Sequence, residues 1–513
     1  MQNVSMKALQ PFINHHVPIT TRGATHRLTS VRSSYRDFFL EAMPSKTSNA
    51  ANRLAESFSQ MLSQQIESIH LQRSINESNM MSMLENKSNV PISSPKENIS
   101  EKWREIHGSN NWDGLLDPLH PWLRQEIVKY GEFAQATYDA YDLDPYSEYC
   151  GSCRYSRDRL FDTLGLTGHG YNVTKYIYAT SSIELPRWLE RSQLAETWSK
   201  HSNWMGYVAV SDDNESKRIG RRDIVIVWRG TVSISEWYED FQNDLEGFGY
   251  GNAKVVQGFL SIYASKCDTS RYNKTSASEQ VMEELSKLVN FYQKRGEEVS
   301  LTITGHSLGG ALALLNAYEA AATFTDVHVS VISFASPRVG NSGFRDELQE
   351  LGVKTLRLVV KQDVIPCMPG MVFSEYLQNF DDITGGLEWV YTHVGVEFKL
   401  DARVSPYLKK GLQFQGHHML ETYLHLVDGF ESSETPFRDD AKRDIALVNK
   451  ETDLLVSELK IPPRWYQVAN KGLVQNGHGR WVKPKRDQDD IPDPTLEEQS
   501  NQDQNKPSSV LCP

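Results

Sequence analysis

The run Thr304-Gly305-His306-Ser307-Leu308-Gly309-Gly310 constrains this chain more than any other stretch. An apolar, β-prone segment from Val299 to Ile303 precedes it, and an alanine- and leucine-rich helix former from Ala311 to Ala322 follows. A strand must therefore turn sharply into a helix, with a serine at the apex. Gly305 and Gly309 flank Ser307 in a G-x-S-x-G spacing. In so sharp a turn the strand and helix backbones nearly touch, and a Cβ at either glycine would clash. The serine hydroxyl then projects beside the helix N-terminus. Backbone N–H groups there have no intrahelical acceptor and can receive a developing negative charge.

A nucleophilic serine needs a base, and the base needs an acid to orient it. Downstream of the turn, Val327 to Phe334 reads as a buried strand, and Thr355 to Val360 as another. The second ends at Lys361-Gln362-Asp363-Val364-Ile365-Pro366. Asp363 thus follows a strand's carboxyl end, where open α/β sheets gather their functional groups. His393, His417, His418 and His425 lie further on. The pair His417-His418 opens a helix-like segment, Leu420 to Leu426, and either histidine could be aimed at the serine. Spacing alone does not choose between them. His425 falls on the same helix seven residues after His418 and reads as a packed or surface residue.

Gly305 to Gly310, Trp228-Arg229-Gly230-Thr231, Asp363-x-x-Pro366 and His418-x-Leu420-Glu421-x-Tyr423-Leu424-His425-Leu426 together resemble the class 3 lipases. More closely, the chain resembles the plant class I phospholipases A1, from about Trp103 to Trp481. The resemblance implies an α/β-hydrolase with a mostly parallel central sheet flanked by helices. It implies Ser307 as nucleophile, Asp363 as acid and, by family register, His418 as base. It also implies an oxyanion hole made by the backbone N–H groups of Thr231 and Leu308. The expected activity is release of sn-1 fatty acids from membrane glycerolipids such as phosphatidylcholine and galactolipids, possible precursors of oxylipins. A tri- or diacylglycerol lipase and a non-catalytic lipase-like scaffold are the alternatives.

After the oxyanion loop, Trp237, Phe241 and Leu245 recur every four residues, one apolar helical stripe with acidic and amide residues opposite. Such a stripe serves either as core packing or as a lid that offers its apolar face to lipid. Class 3 lipases carry their lid in this place.

The rest of the chain bounds the reading. Its 513 residues carry a net charge of -12, which argues against a nucleic-acid partner or a polybasic grip on anionic lipid. No apolar run reaches the ~20 charge-free residues of a spanning helix, so contact with a membrane would be peripheral. Residues 1–36 contain no Asp or Glu, but five Lys or Arg and eight Ser or Thr, without a compact apolar centre. That is the composition of an organelle transit peptide, chloroplast by the resemblance and mitochondrion otherwise. The expected organisation is a transit peptide over 1–45 and a polar linker over 46–100, disordered or weakly helical. The hydrolase-like domain would span 101–485, and a disordered acidic tail 486–513. Cys150-Gly151-Ser152-Cys153 lacks a second ligand pair, so no metal or other cofactor is expected. The clustered Trp465 and Trp481 could pack against the core or touch lipid, and packing is the expectation.

Overall fold

In the chain's computed structural model, residues 97–492 are described, apart from 145, 181–202, 232–243, 268–269, 271, 370–390, 412 and 467–472. The main sheet has seven strands. They are β1 (Tyr171–Ala179), β2 (Asn203–Ser211), β3 (Arg222–Trp228), β6 (Val299–His306), β7 (His328–Phe334), β9 (Lys354–Val360) and β11 (Val396–Leu400), neighbours in that order. β1, β2 and β3 pair antiparallel, and from β3 onward every pairing is parallel. A smaller antiparallel sheet joins β4 (Leu245–Gly247), β5 (Lys254–Val256), β8 (Gly340–Asn341) and β10 (Tyr391–Thr392). β12 (Val474–Gln475) and β13 (Trp481–Val482) form a separate hairpin.

β3, β6, β7 and β9 are buried on both faces almost throughout, as helices on both sides require. Along β3, Val225 and Val227 enter one core while Ile224, Ile226 and Trp228 enter the other. Helix α1 (Pro121–Asp139) contributes Leu123, Ile127, Tyr130 and Phe133 to the first core. His120 caps α1 by accepting from Trp122 N at 3.2 Å, and Pro121 sets its first turn. Helix α2 (Ala277–Lys294) starts with a Ser276/Glu279 capping box and packs on the other face beside helix α3 (Leu308–Thr323), which follows the serine turn. The short helix α4 (Phe414–His418) and helix α5 (Leu420–Gly429) complete the first face.

Three expectations change. Leu245 opens strand β4, opposite Val256, so it is not the third turn of an apolar helix; Trp237 and Phe241 lie outside the described residues. The amino end of the domain also moves. Ile99 is buried and its N–H bonds Arg218 O, so the linker ends before it, while Asp490 is buried against Ser156 and Arg159, inside the segment expected to be tail. Trp481 is 66% exposed rather than packed, and Trp465 is 38% exposed, with its indole donating to Ala446 O. The remainder of the proposed transit peptide, linker and tail falls outside the described residues.

At the amino ends of the parallel strands sits a buried polar cluster. Asp223 accepts from the hydroxyls of Tyr130, Tyr171, Ser300 and Thr302 at 2.7 to 2.9 Å. Burial raises its carboxyl, but Arg221, His107 and Lys129 outweigh burial and hold it below the usual range. His107 Nε2 faces the Arg221 guanidinium at 2.7 Å and accepts from it, which leaves Nδ1–H to donate to Ser330 Oγ at 3.0 Å. The opposite, carboxyl, ends carry the candidate site.

Candidate active site

Ser307 sits between β6 and α3 with φ 58° and ψ −124°, a conformation that costs a non-glycine residue about 1–3 kcal/mol. Close packing imposes it. A Cβ on Gly305 would lie 2.3 Å from the Gly309 carbonyl carbon, and one on Gly309 would lie 2.2 Å from Trp228 O. Ser307 N donates to Phe334 O at 2.9 Å, which ties the turn to β7.

Two side chains complete a line with the serine. His418 Nε2 lies 2.9 Å from Ser307 Oγ, and His418 Nδ1 lies 2.7 Å from Asp363 Oδ2. In that line Nδ1–H donates to the carboxylate and Nε2 keeps the lone pair that accepts the serine proton. Asp363 follows β9 and is held from three sides. Its Oδ1 accepts from Ile365 N at 3.0 Å, and its Oδ2 also accepts from the Tyr423 hydroxyl at 2.7 Å. Its own N–H bonds Val360 O at 2.9 Å. Ser307, Asp363 and His418 are all buried, so a charge moved along this line is poorly screened by water.

His417 points elsewhere. Its Nδ1 faces Gln413 N at 3.4 Å, and burial lowers its pKa. His425 is packed: its Nε2 meets Ser405 Oγ at 2.8 Å and its ring stacks on Phe437. His393 is held down, to about 2, by burial and by Arg357 and Arg338. Of the downstream histidines, therefore, His418 alone meets the serine.

The loop after β3 lies alongside. Gly230 packs so tightly that a Cβ there would lie 2.1 Å from Tyr138 Oη and 2.4 Å from His306 O. Arg229 is buried beneath, donating to Trp204 O at 3.0 Å and Gly230 O at 2.9 Å, with its guanidinium 3.8 Å from the Tyr141 ring centre. Thr231 Oγ1 is buried without a hydrogen-bond partner. Leu308, at the first position of α3, has no helical acceptor for its N–H.

Two contributors were not legible as such in the sequence. His306 Nε2 donates to the His418 carbonyl at 2.7 Å, and the Tyr138 hydroxyl donates to His306 Nδ1 at 2.7 Å. The carbonyl forces the Nε2–H tautomer, so the phenol must be the donor at Nδ1. Burial, followed by the proximity of His418, keeps the His306 pKa well below its ordinary value, so the ring stays neutral. A chain of two hydrogen bonds thus runs from the end of α1 to the backbone of His418. His306 stood inside the motif without a role, and Tyr138 carried no signal beyond helical periodicity.

Cys153 is buried, its thiol 3.4 Å from the Tyr176 hydroxyl, and burial pushes its pKa up to about 12.

Known proteins resemble this chain over most of its length. The family described as Lipase (class 3) matches residues 225–373. The Arabidopsis thaliana protein named phospholipase A1-Igamma1, chloroplastic, is 46% identical over 406 residues, covering 76% of this chain and 79% of its own. Phospholipase A1-Igamma3, chloroplastic, from the same plant, is 46% identical over 409 residues, with 76% and 78% covered. Phospholipase A1-II 4 of Oryza sativa subsp. japonica is 39% identical over 403 residues, with 75% and 94% covered.

Proposed function

Because the chain belongs to the class 3 lipase family, in its phospholipase A1 branch, we propose that it is a serine acylhydrolase acting at the sn-1 ester of membrane glycerolipids. Phosphatidylcholine and the mono- and digalactosyl lipids are its substrates. The observation that carries this reading is the unbroken line Ser307 Oγ, His418, Asp363, at 2.9 and 2.7 Å.

In this reading Ser307 Oγ attacks the ester carbonyl as His418 Nε2 takes its proton. The imidazolium is stabilised by Asp363, which stays ionised throughout. The tetrahedral oxyanion is received by the N–H groups of Thr231 and Leu308, each contributing about 3 kcal/mol to the transition state. The unpartnered Thr231 hydroxyl is a third donor whose acceptor arrives only with the oxyanion. His418 then passes its proton to the departing glycerol oxygen, leaving an acyl-serine. A water activated by the same histidine releases the fatty acid and restores Ser307.

The place of work is the plastid. Two of the relatives above carry the word chloroplastic in their names, and residues 1–36 have the acid-free, hydroxyl-rich composition of a transit peptide. No helix among the described residues is long and apolar enough to cross a membrane.

The test compares wild type with Ser307→Ala on phosphatidylcholine, galactolipids and triacylglycerol carrying different sn-1 and sn-2 chains. Mass spectrometry reads the lysolipids and free acids. Serine-dependent release of the sn-1 chain from polar lipids is expected. Turnover that survives Ser307→Ala removes the assignment, and release from triacylglycerol alone changes the substrate to neutral lipid.

A further inference from the structure

Lipid hydrolysis requires the enzyme to find a bilayer, and one element is built in a way that packing within the protein does not explain. The β12–β13 hairpin presents Leu473, Val474, Trp481 and Val482 at 55%, 46%, 66% and 38% exposure. Val474 opposes Val482 on one face, and Gln475 opposes Trp481 on the other. Both faces carry exposed apolar side chains, so the hairpin does not rest on the body of the protein. Its bonds are its own: Asn476 N to Arg480 O at 2.8 Å, Gly479 N to Asn476 O at 2.9 Å and Gln475 Nε2 to Gly479 O at 2.9 Å. A free two-stranded hairpin is marginal in water, and an exposed Trp with three aliphatic neighbours is costly there.

The charge around it is one-sided. Residues 473–486 contain Arg480, Lys483, Lys485 and Arg486 and no Asp or Glu, within a chain of net charge -12. The acids that follow, Asp487 and Asp490, are engaged by Arg159 at 3.1 and 2.9 Å. Trp with aliphatic residues and clustered Lys and Arg is the composition of a segment that lies in a membrane interface. The cations specify an anionic surface.

The hairpin is also rooted in the right place. Arg486, at its base, donates to Asp142 at 2.8 Å, Ser152 Oγ at 3.1 Å and Cys153 O at 2.9 Å. Lys483 lies 5.6 Å from the ring centre of Tyr146, itself 77% exposed. The 142–153 loop in turn covers the carboxyl end of the main sheet. Trp204 N, at the start of β2, bonds Gly151 O at 2.8 Å, and β2 runs antiparallel to β3. Tyr141, just before the loop, stacks on Arg229, which braces the loop after β3.

We propose that the β12–β13 hairpin is a docking wedge that seats in an anionic lipid surface and brings the carboxyl end of the sheet, where Ser307 lies, against the bilayer. Leu473, Val474, Trp481 and Val482 enter the interface, while Arg480, Lys483 and Lys485 contact lipid anions. The proposal rests on the acylhydrolase reading for its purpose, but not for its test.

The full chain is compared with Trp481→Ala and Lys483→Glu/Lys485→Glu. Vesicles of phosphatidylcholine alone, or with phosphatidylglycerol, are used for co-sedimentation and for hydrolysis, and a short-chain p-nitrophenyl ester serves as a soluble substrate. Wild type is expected to bind the anionic vesicles more tightly. Each charge reversal, a change of two units, should lower that partition roughly 25-fold, and Trp481→Ala should lower it about tenfold on both vesicles. Soluble-ester turnover should stay within twofold. Variants that bind and hydrolyse vesicles as wild type does overturn the proposal. So does a parallel loss of soluble-ester turnover, which would make the hairpin a structural element. Wild type that binds vesicles through the hairpin yet releases no acid from them would instead refute the acylhydrolase reading and leave the wedge standing.

Discussion

Tyr138→Phe removes a hydroxyl that supports the base through His306. The substitution removes only the hydroxyl that donates to His306 Nδ1 at 2.7 Å. His306 is buried, so water does not readily replace the donor. An unpaired buried acceptor costs about 1–3 kcal/mol, and the neutral hydrogen bond itself is worth about 1 kcal/mol net. His306 can relieve the loss only by turning, which weakens its second bond, to the His418 carbonyl. The base then sits less tightly over Ser307. If about 1.4 kcal/mol of this reaches the chemical step, kcat falls tenfold. KM should hold, because the lost hydroxyl faces His306 and Gly230. Turnover of a soluble p-nitrophenyl ester, with thermal melts as a check on folding, gives both constants. The same substitution in a His306→Gln background should cost less than in wild type, since the two groups act in series. A folded Tyr138→Phe protein whose kcat lies within twofold of wild type would refute the reasoning, and so would strict additivity with His306→Gln.

Two further outcomes follow from the same geometry. Gly305→Ala places a methyl 2.3 Å from backbone atoms of Gly309 that cannot yield without opening the turn. A stability loss of at least about 3 kcal/mol in denaturant, with no measurable turnover, is expected, and near-wild-type stability would show that the turn relaxes. The second concerns acid. His107 and His306 are buried neutral, the first lowered to about 4 and the second well below its usual value, mainly by burial. Their unfolded forms take up protons near pH 6.5 and their folded forms do not, so the unfolded state binds more protons and stability falls as pH falls. The window opens at about pH 6.5 and runs down to about 4, with a slope approaching 3 kcal/mol per pH unit for the two together. Melting temperatures that stay flat from pH 7 to pH 5 would mean that these rings charge in the folded state.

Local sequence carried the parts of the site that depend on neighbours in the chain. The strand–turn–helix around Ser307 and the position of Asp363 after β9 are written in short-range patterning, since both follow apolar strands bounded by glycine or proline. His417 and His418 could not be separated that way, because the choice depends on how α4 ends. Met419 is extended, at φ −65° and ψ 136°, and two adjacent residues at such a break face different ways. Tyr138 and His306 stand 168 positions apart, and no periodicity announces that they touch. Leu245 departs from the expectation because a spacing of four fits a helix on paper, while Leu245 itself folds as a strand. For Trp481 the sequence leaves packing and lipid contact both open, and its 66% exposure excludes the first.

The ties from Arg486 and Asp490 back to residues 142–159 also govern when this fold can be completed. Ser156 and Asp490 are 334 positions apart, and His418 lies 111 positions after the serine it serves. A chain emerging amino end first holds a formed turn at Ser307 well before its base has been made, and gains the clasp at 142–159 last. Contacts of such range close slowly, since each must overcome the entropy of a long loop. In a chain assembled in this order the triad cannot close before His418 has been made, and the residues that anchor the hairpin come later still. The order of the chain thus sets the order in which nucleophile, base and hairpin anchor become available.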